Sequence, residues 1–128
     1  MPADITPLIP QGRQSIRSYG VAGFLINESN YRGTVLVFPD RVLTPGISTV
    51  AALRIEDLTA VVDAVPRVEL LLVGCGPTML LLGRELRAQI RAKGVAVDTM
   101  ATPAACRTYN VLMAEDRRVA ALLFPIEP

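Results

Sequence analysis

The stretch that most constrains the fold is Val68-Glu69-Leu70-Leu71-Leu72-Val73, followed at once by Gly74-Cys75-Gly76-Pro77. A strand with one wet face alternates apolar and polar residues, whereas this nearly continuous apolar run marks a strand covered on both faces. It predicts a central strand. After the turn, Leu82, Leu86 and Ile90 recur every four residues with charges between them, and Gly94 supplies a C-terminal stop, which reads as a helix. Val95 to Met100 is a second strand. Thr102-Pro103 then gives an N-cap followed by proline at the first helical position, opening a helix from Pro103 to about Glu115. Val119 to Phe124 closes the unit. Strand–helix–strand–helix–strand with short connections builds as parallel, right-handed crossovers.

The first half reads differently. Residues 1–14 carry Pro2, Pro7, Pro10 and Gly12 with little periodicity, an extended arm before a single α/β domain over residues 15–128. Ile16 to Tyr19, Gly23 to Asn27 and Thr34 to Phe38 are short runs rich in β-branched and aromatic residues, divided by glycine or by the polar turn Asn27-Glu28-Ser29-Asn30. They predict three largely antiparallel strands. Beyond Pro45-Gly46 a short helix with Glu56 and Asp57 in its first turn reaches about Ala64, before Pro66 stops it. The fold class is therefore α/β in three layers. Its mixed central sheet combines antiparallel N-terminal strands with a parallel β-α-β-α-β C-terminal half.

The 128 residues suit one core, and folding should remove about two-thirds of the unfolded chain's surface from water. Thirteen basic and twelve acidic side chains leave a net charge of +1, too little to collect nucleic acid by a long-range field, so no nucleic-acid partner is expected. The uncharged run Leu70 to Gly83 falls short of the roughly 18 residues a spanning helix needs, and no membrane span is expected. Met1 to Asp4 shows no secretory pattern, which points to the cytoplasm. Two cysteines thirty-one positions apart, Cys75 and Cys106, give no disulfide framework or zinc spacing, so no metal site follows. The chain contains no histidine, which excludes Ser-His-Asp and Cys-His catalysis and histidine-ligated metals.

Ser18-Tyr19-Gly20, Gly23-Phe24-x-Ile26-Asn27, Tyr31-x-Gly33, the strand Glu69 to Gly76, and Ala104-Ala105-Cys106-Arg107-Thr108-Tyr109-Asn110 with Glu115 and Arg117 to Ala120 together resemble one small α/β family. It is the family catalogued as domain of unknown function 498, whose mitochondrial members include respiratory complex I assembly factor 3. The similarity covers about residues 15–124, with Ala104 to Leu112 its most specific stretch. The resemblance implies a three-layer fold with a mixed sheet, and an assembly role for the eukaryotic branch.

Gly74-x-Gly76 at a strand end, with Asp98 twenty-two residues beyond Gly76, imitates half of a dinucleotide-binding unit, but Met79 occupies the third glycine position. No Gly-Lys-Ser/Thr sequence is present, and no cofactor is expected. Cys106 beside Arg107 near a helix start has features that favour a thiolate, set against its reading as a small buried hydrophobe. Arg107 and Asn110 share one helix side while Tyr109 faces another. These groups either satisfy backbone and surface partners or line an anion or partner site. If the parallel strands open their following turns on one edge, the candidate ligand-binding residues are Gly74, Gly76, Thr78, Thr102, Cys106, Arg107 and Asn110. No catalytic residue is assigned. The leading reading is a non-catalytic binding or assembly module with an unidentified protein partner, and a homodimer is one way to cover apolar surface. The alternative is an enzyme or redox protein using Cys106, or a small anionic ligand or cofactor at the Gly74-Gly76 turn.

Overall fold

The computed structural model of the chain describes residues 12–20 and 22–126. The expected N-terminal arm therefore lies, except for residues 12–14, outside the described residues. Strands β1 (Ile16–Tyr19), β2 (Gly23–Ile26) and β3 (Ser29–Arg32) form a small antiparallel sheet in the order β1-β2-β3. The polar segment expected as a four-residue turn contributes only Asn27 and Glu28 to it. Asn27 takes the left-handed φ of 53° that a tight hairpin demands, and Ser29 pairs with Ile26. Ser29 and Asn30 are exposed strand residues, so their polarity disguised a strand as a loop.

The remaining strands, β4 (Val35–Phe38), β5 (Arg41–Leu43), β6 (Leu70–Cys75), β7 (Ala96–Met100) and β8 (Val119–Phe124), form a five-stranded sheet in the order β5-β4-β8-β6-β7. β4 pairs antiparallel with both β5 and β8, while β6 is parallel to β7 and β8, so the sheet is mixed. The apolar run indeed supplies an interior strand. The three expected N-terminal strands divide, however: only the last, β4, enters this sheet, and the first two stay apart with β3. β5 was not legible, being three residues joined to β4 by the two-residue turn Pro39-Asp40.

The helix expected up to Ala64 is broken into 3-10 turns at Val50–Ala52 and Ile55–Leu58 and a single α-turn, α1 (Thr59–Val62). Local side chains compete for the backbone there. Asp57 accepts the Arg54 N–H at 2.9 Å, and Thr59 donates to the Glu56 carbonyl at 2.9 Å. α2 spans Arg84–Ala92, later than the periodicity suggested, since Leu82 is buried but not helical. α3 spans Thr102–Ala114.

β7 and β8 lie on opposite sides of β6, so two crossovers of one hand must send α2 and α3 to opposite faces of the sheet. The cores agree. Leu71, Val73, Leu122 and Phe124 pack with Ile90 of α2, Val61 of α1 and Leu58 just before it. Leu72, Ala121 and Leu123 pack with Ala105, Cys106, Tyr109 and Met113 of α3 and with Phe24 and Ile26 of the small sheet. Each fully buried leucine of this kind contributes about 1.5–3 kcal/mol by leaving water, which is why neither sheet face tolerates a polar register.

Candidate functional site

Three parallel strands end on one edge of the sheet, at Cys75, Met100 and Phe124. The following backbone brings Gly76 and Thr102 into contact there. Gly74 is the close-approach point: a Cβ on it would lie 3.0 Å from Thr102 Cα and 3.0 Å from Thr102 Oγ1, so the first turn of α3 rests directly on β6. Gly76 turns the chain away with a φ of 93°, a conformation that favours glycine.

Thr102 was expected to cap its own helix. Instead Ala101 precedes the helix without a side-chain cap, and the buried Thr102 hydroxyl reaches across the strand ends. The Gly76 N–H donates to Thr102 Oγ1 at 2.8 Å, and that hydroxyl donates to the Phe124 carbonyl at 2.6 Å. The Thr102 N–H donates to the Gly76 carbonyl at 2.8 Å. One side chain thus ties together the ends of β6, α3 and β8. The Gly76 N–H, the Thr102 N–H and the Thr102 hydroxyl each already donate to a protein oxygen here.

The other candidates stand elsewhere. Thr78 is exposed beyond the turn. Asn110 lies eight residues beyond Thr102, about 12 Å farther along α3 at 1.5 Å per residue. Its Oδ1 accepts the Ile16 N–H at 2.9 Å and its Nδ2 donates to the Ile16 carbonyl at 2.8 Å, so the amide acts as a strand partner for β1. Tyr109 is fully buried and donates from its hydroxyl to the Gln14 carbonyl at 2.8 Å. Cys106, Arg107 and Asn110 border a small groove of about 260 Å³ against Ser15 to Tyr19. Arg107 is exposed and belongs to none of the ion pairs among the described residues. The structure therefore brings Gly74, Gly76 and Thr102 to one place and Cys106, Arg107 and Asn110 to another.

The Cys106 thiol is buried among apolar side chains, and desolvation pushes it up to about 12, with Arg107 offsetting only part of that. Burial likewise pushes the Tyr109 phenol well above its ordinary range. A thiol so raised is a poor nucleophile at neutral pH, because the reactive species is the thiolate. Cys75 is also buried; its thiol donates to the Leu80 carbonyl at 3.5 Å.

A larger cleft of about 780 Å³ opens on the far side of Gly76, with Thr44, Ile47, Ser48, Leu80 and Phe124 on its walls. Thr44, Ile47 and Ser48 escaped the sequence reading because they come from an irregular segment with no periodicity. Only the Pro45-Gly46 turn and the small hydroxyl side chains of Thr44 and Ser48 beside it could have signalled them.

The class these features define is a three-layer α/β protein in which Thr102, Tyr109 and Asn110 of the last helix bond to the strand ends and to the segment entering β1. The chain belongs to the family described as proteins of unknown function (DUF498/DUF598), whose model matches residues 16–124. It is 34% identical over 110 residues to the NADH dehydrogenase [ubiquinone] 1 alpha subcomplex assembly factor 3 of Xenopus tropicalis, covering 86% of this chain and 60% of that protein. The chain thus spans about 60% of the length of that relative. Among solved structures, one titled an outer membrane protein from Bartonella henselae superposes with a TM-score of 0.83 at 40% identity, covering 91% of this chain and 98% of that one. A Mth938-like domain from Bordetella pertussis superposes with a TM-score of 0.80 at 26% identity, covering 99% of this chain and 94% of that one. No helix among the described residues is long and apolar enough to cross a membrane.

Proposed function

We propose that the chain is a non-catalytic protein-binding module that assists assembly of the respiratory NADH dehydrogenase. The observation that carries this reading is the engagement of Thr102, and of Tyr109 and Asn110 within the stretch Ala104 to Leu112, in bonds that hold the layers together. Recognition then falls to the surface. The names of the vertebrate relatives support an assembly role and protein partners. Two free, buried cysteines suit a reducing compartment, and the cytoplasm is the proposed place of action.

Deleting the gene in its host and resolving the membranes by native electrophoresis tests the proposal. The expected result is a severalfold fall in assembled NADH dehydrogenase, with the subunits still synthesised, and recovery when the chain is restored. An unchanged amount of assembled enzyme in the deletion strain would remove the proposal.

A further inference from the structure

The outer surface of α2 is cationic and adjoins an exposed apolar turn. Arg84, Arg87, Arg91 and Lys93 are all exposed, and against the single Glu85 they give residues 84–93 a net charge of +3, four basic groups less one acidic. Arg84, Arg87 and Arg91 stand at i, i+3 and i+7, within about 60° of one another on a helix and along about 10 Å of its length. Ile90 occupies another side of the helix and is buried in the core. Among the described residues the ion pairs involve Arg13, Arg41, Arg54 and Arg118, so none neutralises this stripe. Just before the helix, Met79, Leu80 and Leu81 are 52%, 48% and 72% exposed, three large apolar side chains in succession.

We infer that this surface binds peripherally to an anionic lipid bilayer, Met79 to Leu81 entering the headgroup layer while Arg84, Arg87 and Arg91 meet lipid phosphates. Guanidinium groups match phosphate oxygens in pairs, and apolar side chains beside a basic stripe are the composition of an interfacial contact. The groove between the 3-10 turns and α2 has Arg54, Glu56 and Glu85 on its walls together with Leu80 and Leu81, and none of the three arginines of the stripe. The cationic stripe thus lies outside the groove while Leu80 and Leu81 stand on its wall, so a target must be broad enough to meet both at once, as a bilayer surface is. A chain with a net charge of +1 has little long-range attraction for a bilayer, so this contact is local.

Sedimentation of the purified full chain with vesicles tests the inference. Vesicles of equimolar phosphatidylcholine and phosphatidylglycerol should carry the protein down and release it at high salt, and phosphatidylcholine alone should not. At about fivefold per charge, the triple variant Arg84→Gln, Arg87→Gln, Arg91→Gln should partition about a hundredfold more weakly. Leu81→Asn should weaken binding without changing its salt dependence. All four positions are exposed, and an unchanged melting temperature confirms that the variants fold. Equal sedimentation with both vesicle types, or an unchanged partition in the triple variant, would overturn the inference. So would a chain that ignores vesicles while a photo-crosslinker at Leu81 captures a protein, since the surface would then be a protein interface.

Discussion

Tyr109→Ala should lower the unfolding free energy by about 3–5 kcal/mol, the range for removing a large aromatic side chain from a packed core. Tyr109 has no exposed surface and packs where α3, the five-stranded sheet and the small sheet meet. Its ring fills the junction, and its hydroxyl holds the Gln14 carbonyl just ahead of β1. Tyr109→Phe separates the two contributions. It keeps the ring and loses one hydrogen bond, at a cost of about 1 kcal/mol. Urea unfolding of both variants measures the difference. Equal losses would assign the stabilisation to the hydroxyl, and two small losses would mean that the three layers do not depend on this contact.

Thr102→Val is the second large effect and arises from bonding, because valine matches threonine in shape. The change leaves the Gly76 N–H and the Phe124 carbonyl without the hydroxyl that now joins them, in a place closed to water. Each stranded group costs about 1–3 kcal/mol, so a loss of about 2–6 kcal/mol is expected for the two. Thr102→Ser retains the hydroxyl and should recover most of it. Heat denaturation of the pair should show the valine variant melting roughly 6–24 °C below the parent, at about 3–4 °C per kcal/mol for a domain of this size. A valine variant as stable as the serine variant would show that water replaces the hydroxyl, and that the strand ends are more open than the structure has them.

The sequence carried the C-terminal half of the fold because periodicity there reflects burial directly. Val68 to Val73 is apolar without alternation, since β6 has a layer on each face, and α2 shows its helical spacing because one side alone is covered. The N-terminal half was less legible. Ser29 and Asn30 sit on an exposed strand and are turn formers by chemistry, while β5 is too short to show alternation. The 3-10 turns before β6 depend on single side chains such as Asp57, whose contact with the Arg54 N–H leaves no periodic trace.

The candidate residues were legible as types but not as partners. Parallel strands require their C-terminal turns to share an edge, so the meeting of Gly74, Gly76 and Thr102 followed from strand order. That the Thr102 hydroxyl would bond across to Phe124, and that Asn110 would pair with Ile16, depends on packing between segments 22 and 94 residues apart. No local pattern encodes such distances. The thiol of Cys106 shows the same limit: its neighbour Arg107 favours the thiolate, but burial by distant strands outweighs that neighbour.

The central claim is that the residues marking this family hold the fold and perform no chemistry, and Cys106 tests it most directly. A thiol raised from about 9 to about 12 has roughly a thousandfold less thiolate at neutral pH. Timed alkylation of the native protein, read by mass spectrometry at Cys106, should therefore be at least about a thousandfold slower than for a free thiol, and should accelerate only in the denaturant range where the chain unfolds. Modification of Cys106 in the folded protein at the rate of an exposed or activated thiol would contradict the account.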